Sequence, residues 1–469
     1  MGADRALESG KAVMGGETVE PQTLIGRLLA RPDAYAAAGL LAAHPDFADH
    51  RLLRMALPDR ATGLVFAGMR FSPACLLEEL GGWQDSAVQR RLAGNPATPA
   101  PVIARLLDNS SADPDVGPRL AAHVRTPTDA LPGLVADGRL ATRVAAAGHP
   151  GAGHGLLLEL AGRGEMPVLR VLSARADLST ALLARIWERG DRHVQAELLR
   201  AATCPRQLLA AAAHAPHALW RRRAAGHPAL PEPVRWRLLR DSDARVRAAV
   251  AEAPTTPVEL LHRFQADPAQ RVRIALARRQ DLPPSWLDSL ARQPGAWLQR
   301  WVARNPCCPR QMLERLAQSA AAEVRRAVSR NPATSAFMLA RLAADADPWV
   351  RAGAAGRADL YPSVLARLAD DTEVDVLGAV AANPSTPAER LAGLAMHDDR
   401  DVRRAVAQNP AASAAVLAPL ATDPYPLNRF VVSQRDALSL ATLEALAGDP
   451  EPRIRFIAWK RLGALAASH

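Results

Sequence analysis

One interval constrains this chain more than any other property. Val246, Val272, Leu298, Val324, Val350, Val376 and Val402 follow one another at 26-residue steps. Each opens a similar phrase: Val-Arg-Arg-Ala-Val-Ser-Arg-Asn-Pro from Val324 and Val-Arg-Arg-Ala-Val-Ala-Gln-Asn-Pro from Val402. A fixed period of this length predicts a stacked array in which each unit buries its apolar side only against its neighbours. The phase drifts upstream, where Val88, Val116, Val168, Val194 and Leu219 start comparable phrases. Leu427 and Ile454 continue it downstream, and His44-Pro45 marks an earlier unit. About sixteen units fit at this period.

The unit reads as two short helices with sharp stops. In residues 241–267, Asp243 or Asp241 caps the first helix, and Val246, Ala249 and Val250 fall at i, i+3 and i+4 on one face. Ala253-Pro254 ends it. Elsewhere the stop is Asn-Pro, at Asn95, Asn305, Asn331, Asn383 and Asn409. Proline cannot continue the hydrogen-bond ladder, and it disfavours the α region for the residue before it. Thr256-Pro257 reads as a cap with proline at the first position of the second helix, whose apolar stripe is Leu260, Leu261 and Phe264. A longer period overlies the first. Arg279-Gln280-Asp281, Arg357-Ala358-Asp359 and Arg435-Asp436 replace the Asn-Pro stop, and Asp281 and Asp359 stand 78 residues apart.

The phrase Val-Arg-Arg-Ala-Val-x-x-Asn-Pro-x-Thr-Pro-x-x-x-Leu-x-x-Leu-Ala resembles the leucine-rich repeat variant family, within the HEAT-like α-solenoids. The match is specific over about residues 240–460 and degenerate over 21–240. The resemblance implies an all-α fold, a right-handed α-solenoid built for interaction or scaffolding. It implies one α and one 3₁₀ helix per unit, although the greater length of these units favours α for both. Some members carry an N-terminal cysteine cluster for an iron–sulfur centre. Here only Cys75 lies in the first 200 residues, so no such cofactor is expected.

Charge sets the functional alternatives. The net charge is +10, and lysine occurs only at Lys11 and Lys460, so the excess is arginine. Such a balance attracts nucleic acid or acidic protein surfaces, and a base composition favouring arginine codons also produces it. No apolar run is long enough for a membrane span, and four cysteines without a CxxC pair suit a reducing cytoplasm. The expected organisation is a disordered tail at 1–20, degenerate repeats at 21–240, regular repeats at 241–462 continuous with them, and a tail at 463–469.

Recurring residues serve stacking first. Arg247, Arg273, Arg325, Arg351, Arg403 and Arg455 follow the anchors, and Asp241, Asp267, Asp345 and Asp449 lie six residues ahead of this slot. Gln293 stands at the same distance ahead of Gln299. An Asp–Arg pair at the inter-repeat turn is expected. The residue before each anchor is mostly charged and should be exposed. That column contains Arg245, Arg271, Trp297 and Trp349, the candidate contacts for a protein partner, because exposed Trp and Arg are enriched at binding hot spots. The densest basic stretch, with Arg221, Arg222, Arg223, Arg235, Trp236, Arg237 and Arg240, is the candidate nucleic-acid surface, since Arg contacts phosphate and Trp stacks on bases. No catalytic or metal constellation stands out. Cys204 and Cys308 replace the Thr of the stop, where a helix N-terminus can activate a thiol. The chain reads as a non-enzymatic scaffold binding a protein, with nucleic acid as the alternative partner.

Overall fold

The computed structural model describes residues 20–43, 47, 50–109, 113–136, 138–436 and 438–467. The expected N-terminal tail apart from Glu20 and the His44-Pro45 stop lie outside these residues. Among the described residues every regular element is a helix, and the fold is an α-solenoid of two-helix repeats. A first helix such as Ala322–Ser329 is followed by a shorter second helix, Ala336–Leu342. Second helices are α, except Val258–Ala266, which is 3₁₀. None of these helices could persist alone in water at its length. Burial holds them: the seven anchors from Val246 to Val402 are fully buried, each contributing about 1.5–3 kcal/mol.

The Asn-Pro stop does more than end a helix. Asn331 donates through Nδ2 to Ala303 O and Asn305 O, both at 2.7 Å, in the preceding repeat. Its Oδ1 accepts from Ala333 N. Asn95, Asn305, Asn383 and Asn409 repeat this bonding. His149 and His227 substitute for Asn, each with Nε2 on a carbonyl of the previous repeat and Nδ1 accepting the amide two residues on. The Arg variant reaches the same carbonyls: Arg279 donates to Ala251 O and Ala253 O. Asp281 neutralises it as Asp359 does Arg357, which accounts for the Asp two residues after Arg in these two copies of the longer period. Thr256 does not cap the second helix as expected. Its hydroxyl donates back to Val250 O, and Pro257 takes the cap position.

The Asp–Arg pairs form across repeats, not within them. Arg247 holds Asp267, 20 residues on, through Nε at 2.8 Å and Nη2 at 2.9 Å, and its Nη1 reaches Asp241 O. Arg221–Asp241, Arg325–Asp345, Arg403–Asp423 and Arg429–Asp449 are the same staple. Gln293 therefore replaces the Asp that would face Arg273, whose Nε is left without a partner. Two anchors stand one residue beyond the apolar residue that opens the phrase. Leu427 is exposed while Asn428 is fully buried, and Trp220, not Leu219, stands 26 residues before Val246.

The chain divides into two units, Met1–Val116 with Ala355–His469, and Gly117–Ala354. The change from degenerate to regular repeats at residue 240 falls inside the second unit, where helices Ala218–Ala225 and Ala244–Glu252 pack directly. In the first unit, Ala34–Ala43 lies along Pro452–Ala467 in the most extensive helix pairing among the described residues. Residues 463–467, expected as a tail, continue that last helix. Arg455 donates to Asp33 at 2.8 Å, so Asp33 takes the place that the Asp of a following repeat would occupy. The helices approach closely because Gly39 and Gly463 lack side chains. A Cβ on Gly39 would meet the Phe456 carbonyl and the Trp459 Cβ, and one on Gly463 would meet Ala43 and Leu40. Gly39→Leu should cost about 1–3 kcal/mol by overpacking. Gly26→Ala, with open space around it, is the control for thermal unfolding. Equal melting of the two variants would show that the terminal helices do not dock this way.

Candidate functional site

Each first helix turns its anchor inward and presents the residues at −1, +2, +3 and +6 from the anchor along one flank, the i, i+3, i+4, i+7 pattern of a helical face whose +3 edge borders the anchor's own face. In the unit Gly117–Ala354 this face holds Arg222 and Arg223, then Arg245 and Glu252, then Arg271 and Arg278. Trp297, Arg300, Trp301 and Arg304 follow, then Glu323, Arg326 and Arg330, and last Trp349. The column before the anchors is exposed from Arg245 to Trp349, and Trp297 and Trp349 keep 57% and 45% of their surface in solvent.

Two carboxylates quench part of the charge: Glu197 holds Arg223 at 3.2 Å, and Glu252 holds Arg278 at 2.8 Å. Among the described residues, Arg222, Arg245, Arg271, Arg300, Arg304, Arg326 and Arg330 have no ion-pair partner. A cavity of about 680 Å³ runs beside Arg222, Arg223, Arg245, Arg271 and Arg278. A second of about 380 Å³ is lined by Arg300, Arg304, Glu323, Arg326, Ala327 and Arg330. Tryptophans set the side chains: Arg300 lies 5.1 Å from the Trp297 ring, Arg304 5.1 Å from Trp301, and Arg326 4.7 Å from Trp349. These contacts are attractive in themselves, and they order guanidinium groups that would otherwise sweep through solvent.

The four candidate partner contacts, Arg245, Arg271, Trp297 and Trp349, thus share one face. The candidate nucleic-acid residues do not. Arg221 is the staple of its repeat and is bonded bidentately to Asp241. Arg235 is buried and donates to Thr255, Thr256 and Leu230 O, with burial lowering its pKa. Arg222 and Arg223 join the first-helix face. Trp236, Arg237 and Arg240 instead border a different cavity of about 720 Å³ with His214 and Asp241. A stretch dense in arginine along the chain is therefore divided by helical geometry into structural positions, first-helix positions, and positions on the second helix and the turn after it.

Sequence reasoning missed Arg326, Arg330 and Trp301. The signal was present in their offsets from Leu298 and Val324. Neither Cys204 nor Cys308 is an activated thiol: burial pushes Cys308 up to about 12 and Cys204 up to about 11. Among the described residues no helix is long and apolar enough to cross a membrane.

Residues 322–347 match the model of the family described as leucine rich repeat variant. Among solved structures, the chain is similar to one described as a leucine-rich repeat variant with a novel repetitive motif. The identity is 22% over 56% of this chain and 89% of that one, with a TM-score of 0.33. It is similar to the Kap95p–RanGDP structure at 14% identity over 92% and 67%, with a TM-score of 0.28. For the Pds5–Scc1 complex the values are 13% over 91% and 73%, with a TM-score of 0.23. No curated protein matches. With TM-scores this low, the fold rests on the repeat geometry itself.

Proposed function

Its repeat being that of a leucine-rich repeat variant, we propose that the protein is a non-enzymatic scaffold whose first-helix face takes an acidic, extended segment of a protein partner. One observation carries this reading: unpaired arginines and exposed tryptophans share a single face of successive repeats. Packed helices stand about 8–10 Å apart, and an extended chain advances about 3.3 Å per residue. An acidic side chain roughly every third residue would therefore meet each repeat in turn. Unpaired Cys75, Cys204, Cys307 and Cys308 fit the reducing cytoplasm that we propose as its setting.

Nucleic acid is the competing partner, favoured by the same positive charge. Salt separates the two, because duplex binding falls with a log–log slope of about −0.9 per phosphate neutralised. Titration of the tryptophan fluorescence with a Glu-rich peptide and with duplex DNA tests the choice. The peptide should bind, and Trp297→Ala with Trp349→Ala should weaken it by about 2 kcal/mol or more, as hot-spot truncations do. Melting should move little, since exposed substitutions cost within about 0.5 kcal/mol. Duplex binding with a steep salt slope and no response to the peptide would replace the protein partner with nucleic acid.

A further inference from the structure

Neighbouring repeats carry arginine at both the +2 and +6 positions only where Ala296–Arg304 adjoins Ala322–Ser329. The result is a cavity of about 380 Å³ walled by four guanidinium groups and one carboxylate, Glu323. Glu323 makes no ion pair with any of them among the described residues. We infer that Arg300, Arg304, Arg326 and Arg330 bind a phosphoryl group carried on a side chain of the acidic segment, an inference that rests on the scaffold function proposed above.

The charge has to be concentrated to match this cavity. A carboxylate is satisfied by one guanidinium fork. Four arginines against Glu323 leave an excess of three positive charges in one small volume. A phosphorylated side chain brings about −1.5 to −2 charges and three strong acceptor oxygens. The donors are in place before any ligand arrives, because Trp297, Trp301 and Trp349 hold three of the four side chains, which lowers the ordering cost of binding. The Nε of Arg326 is buried and has no partner, so one donor at the site is left unsatisfied by the protein.

The cluster also works against the fold. Partial burial lowers the pKa of Arg330, and Arg326, Arg304 and Arg300 lower it further, although Arg330 itself stays exposed. Like charges held together without a counter-charge are destabilising, and an anion relieves them. The site ends abruptly in the next first helix, where Ala352 and Gly356 occupy the +2 and +6 positions. On the other side Arg278 is already held by Glu252. A pocket bounded in this way suits one dianion better than the regular phosphates of a strand.

The test uses the full chain and four probes: a Glu-rich peptide with one phosphoserine, its unphosphorylated copy, inorganic phosphate, and a single-stranded oligonucleotide. The phosphopeptide should bind about tenfold or more tighter than its copy, the gain of added charge-assisted hydrogen bonds. In Arg304→Gln with Arg330→Gln, that ratio should fall to about one, the copy itself weakening by less because both arginines also belong to the face that takes the acidic segment, and melting should hold or rise. Equal binding of the two peptides, or a ratio that survives the substitutions, overturns the phosphoryl site and leaves the scaffold standing. Failure of both peptides overturns the scaffold reading and this one together. Inorganic phosphate binding as tightly as the phosphopeptide would make this a site for a free ion, and an oligonucleotide that displaces the phosphopeptide at equal concentration would assign it to nucleic acid. Either result overturns the proposal.

Discussion

Arg429→Ala should destabilise the protein by about 3–5 kcal/mol, the cost of stripping one partner from a buried ion pair. Arg429 donates to Asp449 from Nε at 2.6 Å and from Nη2 at 3.0 Å, and to Asp423 O at 2.8 Å. The two side chains are only 10% and 3% exposed. Alanine leaves the Asp449 carboxylate buried with no cation and frees the Asp423 carbonyl. Arg429→Met with Asp449→Leu should cost far less, because paired apolar replacements of similar volume are often neutral. Urea unfolding of both variants separates the outcomes. A single substitution that costs no more than the double would show that the staple carries little of the stability. Acid provides a second check. The Arg325 guanidinium holds Asp345 below the ordinary carboxylate range. Its contribution is therefore complete above the unfolded pKa of about 3.9 and is lost as pH falls through the lower folded value. Arg325→Met should flatten that part of the acid transition.

The repeat was legible because anchors are apolar and periodic, and both properties are local. What the anchor neighbours bond to was not. Arg247 lies six residues from Asp241 in sequence, but it takes that residue's carbonyl and reserves its fork for Asp267 in the next repeat. Spacing along the chain shows that two positions recur together; it cannot show which copy meets which. Arg429 escaped notice because its anchor is Asn428, a polar residue buried in an apolar slot by its bond to Arg400 O. The exposed column was legible from its alternation of charge and tryptophan. The pocket among Arg300, Arg304, Arg326 and Arg330 needed two helices side by side, an arrangement set by packing. The docking of Ala34–Ala43 on Pro452–Ala467 left no local mark beyond two glycines in helices. Asp33 could be recognised as a staple residue only once the staple was known to cross repeats.

Asn331 should respond to substitution in a graded order set by how many of its bonds the replacement keeps. The residue is 1% exposed. Asn305 O keeps the Cys308 amide if Asn331 is lost. Ala303 O and Ala333 N lose the bonds that Asn331 gives them. Asn331→Leu should therefore cost about 2–6 kcal/mol, at about 1–3 kcal/mol for each of the two polar groups left unsatisfied. Histidine should be milder. At His149 and His227 the ring reaches the carbonyl 26 residues back and accepts the amide two residues on. Its partner at Nε2 is a carbonyl, which fixes the proton there and leaves Nδ1 free to accept. Asn331→His would thus forfeit only the bond to Ala303 O, one unsatisfied group at about 1–3 kcal/mol. Asn331→Arg would reach both carbonyls, as Arg279 does, but position 333 is alanine where Arg279 has Asp281 to neutralise it. A buried guanidinium without its carboxylate should make arginine worse than histidine, and Ala333→Asp should recover part of the difference. Midpoints of urea unfolding in the order wild type, His, Arg, Leu would place the cost in these particular bonds. Indifference to all three would show that proline alone ends the helix and that the bridge between repeats contributes nothing.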